Sequence, residues 1–409
     1  PLPKIDYQIQ ILDSSLNHIA TVLSPYPLNK GGTILQYSKE LSDFGQCRFR
    51  ISAFDDLLTQ YGDILKPHEY HVRIVRNGAT VWQGAIIENT KWSKDYIEIV
   101  AVDYLWYLSK KLVHQTSPDA NGTANIYRIF NSGTMAAAVT AIINETISDY
   151  AAYPNHVMNH LTLGTVENPN YPPNMEDGSN PPNKLTGPFT FGNGITAPLL
   201  QYDFTPILTI LKAFGIYAYA DFYIDNNLVF NFEKFVGNDH HYDVNFTFLK
   251  ATSGSQQVGN IIDFNLPRLG QRMANRLIGI ATTPNGDILR SPQTDEASIT
   301  TYGLLEGVAA FADVKDQAAL NARLQAELPL VSTPDPTNAL VVLNETAAYP
   351  LGLWDVGDLV TIKITHKALS FDEVRRVVGV TVAVHDTGRE TTTVQTNVPQ
   401  PWQFGSTTG

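Results

Sequence analysis

The sequence is short of cysteine, of charged residues and of long apolar runs. Its 409 residues include one cysteine, so neither an intrachain disulfide nor a cysteine-based metal cluster can form within one chain. No apolar run approaches the ~18 residues of a membrane-spanning helix, and residues 1–6 lack the basic and apolar segments of a secretory leader. These absences predict a soluble, non-secreted protein that folds without an oxidising compartment.

Charged residues make up 17% of the chain against a usual ~25%, and acidic residues outnumber basic ones by 40 to 28. Residues 1–114 carry 12 basic and 12 acidic groups, residues 115–245 carry 4 and 12, and residues 246–409 carry 12 and 16. The acid of the middle segment repels phosphate, which argues against nucleic-acid binding there. Two interpretations stay open: a surface that favours solubility, or one that faces a polyanion without binding it.

Aromatic and turn-forming residues are plentiful instead, with 19 Tyr, 18 Phe, 28 Gly and 24 Pro, which is typical of strands and turns. Residues 7–13 and 18–23 alternate apolar and polar side chains and predict a hairpin. Cys47 lies in another alternating run, which predicts an inert buried side chain. Asn77-Gly78 predicts a second hairpin, and about seven strands in the first hundred residues predict a small barrel or sandwich.

The middle of the chain has two predicted helices separated by a long irregular stretch. One helix is capped by Ser132 or Thr134 and ends near Tyr150, and the other begins after Thr205 and stops at Gly215. Residues 153–198 contain 8 Pro, 8 Asn and 5 Gly, so nearly half of these positions favour turns. A structureless loop of this length is unusual in a compact domain, so the stretch is predicted to be a binding loop or an insertion.

Strands return after the second helix, beginning with a predicted hairpin over residues 217–233. A further helix is predicted from residue 316, because leucines follow at four-residue spacing, and alternating valines over residues 378–384 predict a strand. Residues 72–102 and 360–396 share one order of elements: strand, turn, long strand, charged turn, strand. This order predicts two related small β-barrels separated by an insertion.

Signatures of several enzyme classes are missing. The sequence has no Gly-rich phosphate loop ending in Gly-Lys-Ser/Thr, no nucleophile elbow around a serine and no His-Glu-x-x-His motif. It therefore predicts no catalytic residues, no cofactor and no enzymatic activity. A glycan-binding or glycan-cleaving β-rich protein stays open as the alternative, because the five tryptophans could form a sugar platform and a glycosidase needs only two carboxylates about 5–10 Å apart.

Two groups of residues have side chains of the types that bind metal ions. The first is His156 and His160, four residues apart in Pro/Asn-rich sequence that does not favour a helix. The second is a polar turn after a predicted hairpin and consists of Asp239, His240, His241 and Asp243. A structural or solvated role is the favoured interpretation of both groups, so no metal site is predicted.

Several stretches of the sequence are informative through their order along the chain. They are residues 37–49, residues 76–84, residues 206–215 with the following hairpin, Ala274-Asn275-Arg276, residues 302–306, and residues 354–358 with Arg375-Arg376-Val377. In this order they resemble the tail-hub family of tailed bacteriophages, which is the baseplate hub or tail-associated protein of long-tailed phages. That family is related to the hub of contractile injection systems, and the sequence does not separate a phage from a phage-derived injection system.

The resemblance implies a mainly β fold with some α (α+β) in a chain that forms a ring-shaped homotrimer. Two small tail-tube-like β-barrel domains are expected, together with an inserted loop-rich domain. The expected domains are barrel 1 (1–113), the helix and Pro/Asn-rich insertion (114–203), a helix plus hairpin that completes barrel 1 or bridges it (204–260), barrel 2 (261–398) and a C-terminal tail (399–409).

The resemblance also implies a structural protein of the virion tail tip, assembled in the host cytoplasm. Its two barrels per chain would form a pseudo-sixfold ring that joins the tail tube to the tip, with a net acidic or neutral lumen that passes DNA without specific binding. Expected partners are further copies of the chain, a distal tail protein, the tape-measure protein and tail fibre or spike proteins. Many relatives continue into receptor-binding or wall-cleaving domains, so separate proteins are expected to supply these activities. The insertion is expected to contact partners through Tyr171, Asn174, Asn180 and Asn183.

Overall fold

The fold is known from a computed structural model that describes most of the chain. The described residues are 5–61, 65–113, 127–130, 133–168, 189–190, 196–197, 200–203, 205–218, 220–250, 258–266, 273–282, 287–311, 339–344, 351–367 and 369–398, with positions 317, 320, 321, 324, 325, 328, 331 and 332. The four predicted partner-contact residues, from Tyr171 to Asn183, lie outside them, as does the tail 399–409. The chain is mainly β with a smaller share of helix, as predicted.

The first third of the chain consists almost wholly of strands. Its elements are β1 (Tyr7–Leu12), β2 (His18–Thr21), β3 (Pro25–Tyr26), β4 (Thr33–Glu40), β5 (Gln46–Ser52), α1 (Asp56–Tyr61), β6 (His71–Arg76), β7 (Ala79–Trp92), β8 (Tyr96–Asp103) and a 3₁₀ helix (Tyr104–Ser109). Both predicted hairpins are confirmed. Asn77 and Gly78 have positive φ angles of 49° and 83°, which a two-residue hairpin turn requires. Cys47 is fully buried, as predicted.

The middle third mixes short strands with two longer helices. Its elements are β9 (Tyr127–Phe130), β10 (Gly133–Thr134), α2 (Met135–Ala151), a 3₁₀ helix (Val157–His160), β11 (Thr162–Val166), β12 (Phe189–Thr190), β13 (Thr196–Ala197), β14 (Leu200–Asp203), α3 (Ile207–Ala218), β15 (Asp221–Ile224), β16 (Val229–Glu233) and β17 (Asn245–Lys250). The helix capped by Thr134 is confirmed, since its side chain accepts a hydrogen bond from the Ala137 N–H.

Two predictions for this third were wrong in part. Residues 157–166 form a 3₁₀ turn and a strand, because β11 pairs in parallel with β16 and so has backbone partners that a structureless loop lacks. Gly215 does not end its helix, which continues to Ala218, so the predicted hairpin begins at Asp221 and not at residue 217. A side chain at Gly215 would lie 2.8 Å from the Ala220 carbonyl oxygen, so the glycine permits a close approach.

The last third returns to strands. Its elements are β18 (Ile261–Asn265), β19 (Arg276–Thr282), β20 (Ile288–Thr294), α4 (Glu296–Tyr302), β21 (Glu306–Phe311), β22 (Ala339–Asn344), β23 (Leu359–His366), β24 (Leu369–His385) and β25 (Glu390–Asn397). The predicted leucine helix is seen at described positions 317, 320, 321, 324, 325, 328 and 331. The strand predicted over residues 378–384 is confirmed as part of β24, and a β-bulge between Val377 and Gly379 breaks the alternation so that Val377 is buried in the core.

One sheet of fourteen strands joins the two ends of the chain in the described part. Its strand order is β18-β22-β25-β24-β4-β5-β8-β7-β6-β1-β2, with β17 beside β23, β23 beside β24 and β3 beside β5. The pairing of β24 with β4 places residues 379–385 against residues 33–40. The two ends therefore fold together.

The repeated order of elements takes the form of two antiparallel meanders, as the sequence predicts. We call β6-β7-β8 the first meander and β23-β24-β25 the second meander. Each has a long middle strand, of 14 residues in β7 and 17 in β24. The first part of this strand pairs with the strand before it and the second part with the strand after it. The change occurs at Gly84 in β7 and between Arg376 and Gly379 in β24.

Three apolar cores lie in the described residues. The largest is built from both meanders and includes Phe49, Phe246 and Val382. The second lies under α2 and α3 and against the first 3₁₀ helix. The third is small and places the leucines of the last helix on β19. The predicted domain boundaries stay a prediction. Among the described helices, none is both long and apolar enough to cross a membrane.

Candidate functional site

A buried ion pair ties the first meander to the last strand. Arg76 donates to both carboxylate oxygens of Glu390, from Nη2 to Oε1 at 2.7 Å and from Nε to Oε2 at 3.0 Å. The Tyr7 hydroxyl donates to the same carboxylate at 2.6 Å. Burial, with Tyr37 and Glu390 nearby, raises the pKa of Tyr7, so this hydroxyl keeps its proton and stays a donor. The bidentate geometry fixes β25 against β6.

A second buried ion pair ties the second meander to the middle of the chain. Arg376 on β24 contacts Asp221 on β15 through both guanidinium Nη atoms, and both side chains are at least nine-tenths buried. Arg376 also donates to the carbonyl oxygens of Gly357 at 3.1 Å and Val236 at 2.8 Å, and its guanidinium lies 4.1 Å from the centre of the Phe235 ring. These contacts supply the buried guanidinium with hydrogen-bond acceptors, a counter-charge and a cation–π partner in place of water.

A cleft of about 270 Å³ opens where β4, the first 3₁₀ helix, the β15–β16 turn and the turn before β23 meet. Its walls are mainly apolar and include Val81, Trp82, Leu105, Ile224 and Val356. Five carboxylates also line it, and they are Glu40, Asp43, Asp103, Asp225 and Asp355. Apolar walls with several carboxylates are features of a site for acid–base chemistry or for a bound molecule.

Most of these carboxylates are already engaged in ion pairs or hydrogen bonds within the protein. Lys212 pairs with Asp43 at 2.5 Å, and Lys39 pairs with Asp355 at 2.6 Å. Asp225 accepts hydrogen bonds from backbone N–H groups of its own turn.

Asp103 accepts hydrogen bonds from the backbone N–H groups of Gly45 and Leu105. Burial raises the pKa of Asp103 to about 7, with smaller contributions from the charges of Asp43 and Glu40. Burial, then Asp43, also raises the pKa of Glu40. The cleft thus contains proton-binding groups, but its other acids hold turns together and none is joined to a nucleophile by the contacts described.

The predicted metal-binding candidates do not converge in the described part of the chain. His241 Nδ1 contacts the Asp239 carboxylate, while His240 Nε2 lies 3.8 Å from the Asp358 carboxylate instead. The Asp243 backbone N–H donates to the His240 carbonyl and closes the turn. Within the described residues, no group of three or more His, Cys, Asp or Glu side chains is placed to hold a metal ion. His156 accepts a hydrogen bond from the Met158 N–H and caps a 3₁₀ turn.

The tryptophans that could form a sugar platform are dispersed, and the cysteine that was predicted to be inert is buried. Trp82 and Trp354 are buried in the largest core, and Trp82 Nε1 donates to the Ser38 carbonyl at 3.0 Å. Trp92 is 61% exposed, and Trp402 lies outside the described residues. Burial raises the pKa of the Cys47 thiol, which keeps it in its unreactive form.

One sheet has a face on which apolar side chains are exposed and which no described element covers, and the sequence analysis did not identify it. It consists of β20, β19 and β21, and its inner face carries the leucine helix, with Leu324 lying directly over Gly279. On the outer face, Ile278 lies opposite Pro292 and Val308, and Val308 is 66% exposed. The sequence signal is the apolar residues on both faces of β19, which is typical of a strand covered on both sides. We call this outer surface the open sheet face.

A second exposed apolar group lies on two loops and at the end of β7. Leu23, Phe54 and Trp92 are each more than 60% exposed. Hydrogen bonds join these parts of the chain, because Asp55 accepts from the Leu23 and Ser24 N–H groups and the Ala53 N–H donates to the carbonyl of Asp95 in the turn after β7. We call these three side chains the loop tip. Large apolar groups held on rigid loops are typical of contact surfaces.

Comparison with known proteins places this architecture among tail proteins. No protein-family model matches the sequence, and no curated protein sequence matches it significantly. Solved structures do match. The 43 kDa tail protein of prophage MuSo2 from Shewanella oneidensis is similar with a TM-score of 0.59 and 11% identity over 95% of this chain and 97% of that chain.

Two further solved structures match over a comparable length. A tail protein from Neisseria meningitidis MC58 has a TM-score of 0.56 and 11% identity over 97% of this chain and 98% of that chain. Prophage tail protein gp18 from Listeria monocytogenes EGD-e has a TM-score of 0.52 and 11% identity over 96% and 95%. At this level of identity the similarity establishes the fold. The chain therefore has the fold of prophage tail proteins, as the resemblance in its sequence predicts.

Proposed function

We propose that the protein is a structural hub at the tip of a phage or phage-derived tail. Three chains form a ring that joins the tail tube to the tip and through which DNA leaves. The observation that carries this proposal is the repeated meander, inside a chain whose fold matches tail proteins from end to end. Three copies of a chain with two related units supply six related positions around an axis, which suits contact with a sixfold tube.

The proposal assigns each half of the chain one tail-tube-like β-barrel, with the acidic middle segment projecting outward. The barrels face the lumen, and their lumen-facing positions are net acidic or neutral so that passing DNA is not held. The protein acts by assembly and not by catalysis, and it works in the virion tail tip after assembly in the host cytoplasm.

The exposed apolar surfaces supply candidate contacts for this assembly. A stable interface buries about 1,600 Å² in total, and a ring under DNA pressure needs at least that area. The open sheet face and the loop tip together provide apolar side chains on rigid elements, which support contacts with neighbouring subunits and with a distal tail protein, the tape-measure protein or tail fibre and spike proteins.

The test is the mass of the purified chain at micromolar concentration, together with class averages from electron microscopy. We expect three times the chain mass of 45.2 kDa and a threefold ring with a central hole. A stable monomer, or a ring whose bore is lined by Lys and Arg, would contradict the proposal. The matched variants are Val308→Asp on the open sheet face, which is expected to weaken the trimer, and Thr387→Asp on the exposed β24–β25 turn, which is expected to leave it intact.

Glycan binding at the tail tip is the second candidate, and the exposure of Trp92 beside the loop that carries Phe54 favours it. Aromatic rings of this kind stack on sugars. A glycan array combined with a hydrolysis assay separates the two functions. Binding or turnover that a single Trp92→Ala change abolishes would replace the structural proposal with the glycan one.

A further inference from the structure

Three histidines meet where the first meander contacts the middle of the chain. His71 lies on β6, His68 lies in the loop before it, and His156 lies in the segment after α2. The His156 ring stacks on Tyr150 at 4.8 Å between ring centres and meets Tyr107 edge-on at 4.9 Å. We call His68, His71 and His156 the histidine joint.

His71 is the most enclosed member of the joint. Its side chain is fully buried, and neither ring nitrogen has a hydrogen-bond partner among the described residues. Its ring centre lies 5.8 Å from that of Tyr104, which belongs to the first 3₁₀ helix. A charged imidazolium would present two N–H donors and a positive charge with no partner for either donor, so the packing favours the neutral ring.

His156 needs to be neutral for a different reason. Its Nδ1 accepts a hydrogen bond from the Met158 N–H at 3.1 Å and so caps the 3₁₀ turn that leads into β11. A proton on Nδ1 would remove this acceptor. His68 stacks on Trp106 with ring centres 5.6 Å apart, and its Nδ1 lies 3.4 Å from the Tyr107 hydroxyl.

The charged groups around the joint are mostly positive. Lys110 lies over the Trp106 ring at 5.0 Å, and its charge opposes protonation of His68. Arg73 follows His71 on the same face of β6 and donates to Gln83. The facing carboxylate is Asp13, whose charge favours a protonated His71 but whose oxygens accept hydrogen bonds from Ser15 and Asn17.

From α2, the nearby carboxylate Asp149 is paired with Lys111. Burial, then the charge of His156, lowers the pKa of His71 to about 4, despite the opposing effect of Asp13. Burial also lowers the pKa of His68 and of His156.

We propose that the histidine joint is an acid-sensitive connection, which holds residues 150–166 against the first meander at neutral pH and releases them on mild acidification. Protonation places like charges in one apolar site and removes the cap of the 3₁₀ turn. Release exposes the 3₁₀ turn and β11 while the large sheet stays folded. This inference does not depend on the proposed role as a hub.

The direction of the effect follows from linkage. When residues 150–166 are released, the His71 ring meets water and its pKa returns towards 6.5, whereas in the closed joint its pKa is about 4, so the released state binds more protons between these values. The contribution to stability is complete above pH ~6.5 and decreases as the pH falls towards 4. At pH 5, His71 alone is expected to favour opening by roughly 30-fold relative to pH 7.5.

Hydrogen exchange of the full chain at pH 7.5 and pH 5.0 tests the inference, with rates corrected for the intrinsic effect of pH. We expect protection in peptides covering residues 150–166 to fall by at least tenfold more than in peptides covering β24 and β25. In the triple variant His68→Gln, His71→Phe, His156→Asn, this difference is expected to shrink to less than about twofold, because Asn can still cap the turn without titrating. The control is His18→Gln, an exposed histidine on β2.

An equal loss of protection in the wild type and the triple variant would overturn the inference. So would a loss that is uniform over the whole chain. If the triple variant fails to fold, imidazole titration of the wild-type protein by NMR decides the matter. Three histidines that all titrate near pH 6.5, without a change in exchange at residues 150–166, would also overturn it.

Discussion

The two meanders share an order of strands but differ in what lies beside their long strands. In the first meander, β7 pairs only with β6 and β8 among the described strands. In the second, β24 pairs with β23 and β25 and also with β4, so it forms the seam between the two ends of the chain. The strands of the first meander therefore pair only with strands of the first third of the chain. The second meander, in contrast, joins the last third of the chain to the first.

The buried charges follow the same division. The second meander carries Arg376 in its long strand, paired with Asp221 of the middle segment. The first meander places Arg76 at the end of β6, where it reaches Glu390 of the second meander. Each arginine contacts a different part of the chain, so the two meanders have different charged neighbours.

Breaking the Arg376–Asp221 pair is expected to have the largest effect on stability. Arg376→Met leaves the Asp221 carboxylate buried without its cation, so we expect the free energy of unfolding to fall by about 3–5 kcal/mol. Chemical denaturation measures this change. The matched control is Arg48→Met, because the Arg48–Glu98 pair is 3.9 Å apart and Arg48 is 55% exposed. A similar loss of unfolding free energy in both variants would show that burial does not make the Arg376–Asp221 pair more important for stability than an exposed pair.

Gly84 and Gly379 lie where the two long strands change partners, and their replacement by alanine is expected to lower the unfolding free energy by different amounts. A side chain at Gly84 would lie 2.1 Å from the Val102 carbonyl oxygen, which is backbone and cannot move aside. We expect Gly84→Ala to cost about 1–3 kcal/mol of unfolding free energy. At Gly379 the nearest atom is Glu40 Oε2 at 2.6 Å, the end of a flexible side chain, so Gly379→Ala is expected to cost less than about 1 kcal/mol.

Thermal or chemical unfolding of the two alanine variants, side by side, measures this difference. Equal losses would contradict the expectation that a backbone contact at Gly84 is less tolerant of a side chain than the side-chain contact at Gly379. A larger loss in Gly379→Ala would place the tighter packing at the seam instead.

The smallest expected effect on stability belongs to the loop tip, of which Trp92 lies at the end of the first meander's long strand. Trp92→Ser and Phe54→Ser remove exposed rings, so unfolding free energy is expected to change by no more than about 0.5 kcal/mol. Binding to tail partners is expected to weaken by at least tenfold, since exposed aromatics on rigid loops dominate such contacts. Pull-down from assembled tails measures binding, with Thr387→Ser on the β24–β25 turn as the control. Unchanged binding would remove the loop tip from the assembly surface.

The sequence by itself determined the strands, their turns and the repeat. Alternation of side chains fixes which face of a strand is buried, as at Cys47, and Asn77-Gly78 fixes a hairpin because few residue pairs adopt its backbone angles. These signals act between residues close in sequence, and the family resemblance rests on their order.

Only the tertiary structure decided which distant elements meet. Residues 157–166 were predicted to be irregular. The neighbouring sequence carries no signal for a parallel partner strand such as β16, which begins some sixty residues later. Arg76 and Glu390 are separated by 314 positions, and their pairing depends on how β24 and β4 join the ends of the chain. The open sheet face likewise exists because the leucine helix covers one side of β19 and no described element covers the other. Local patterns specify elements, but long-range pairing and burial of the whole chain specify the site.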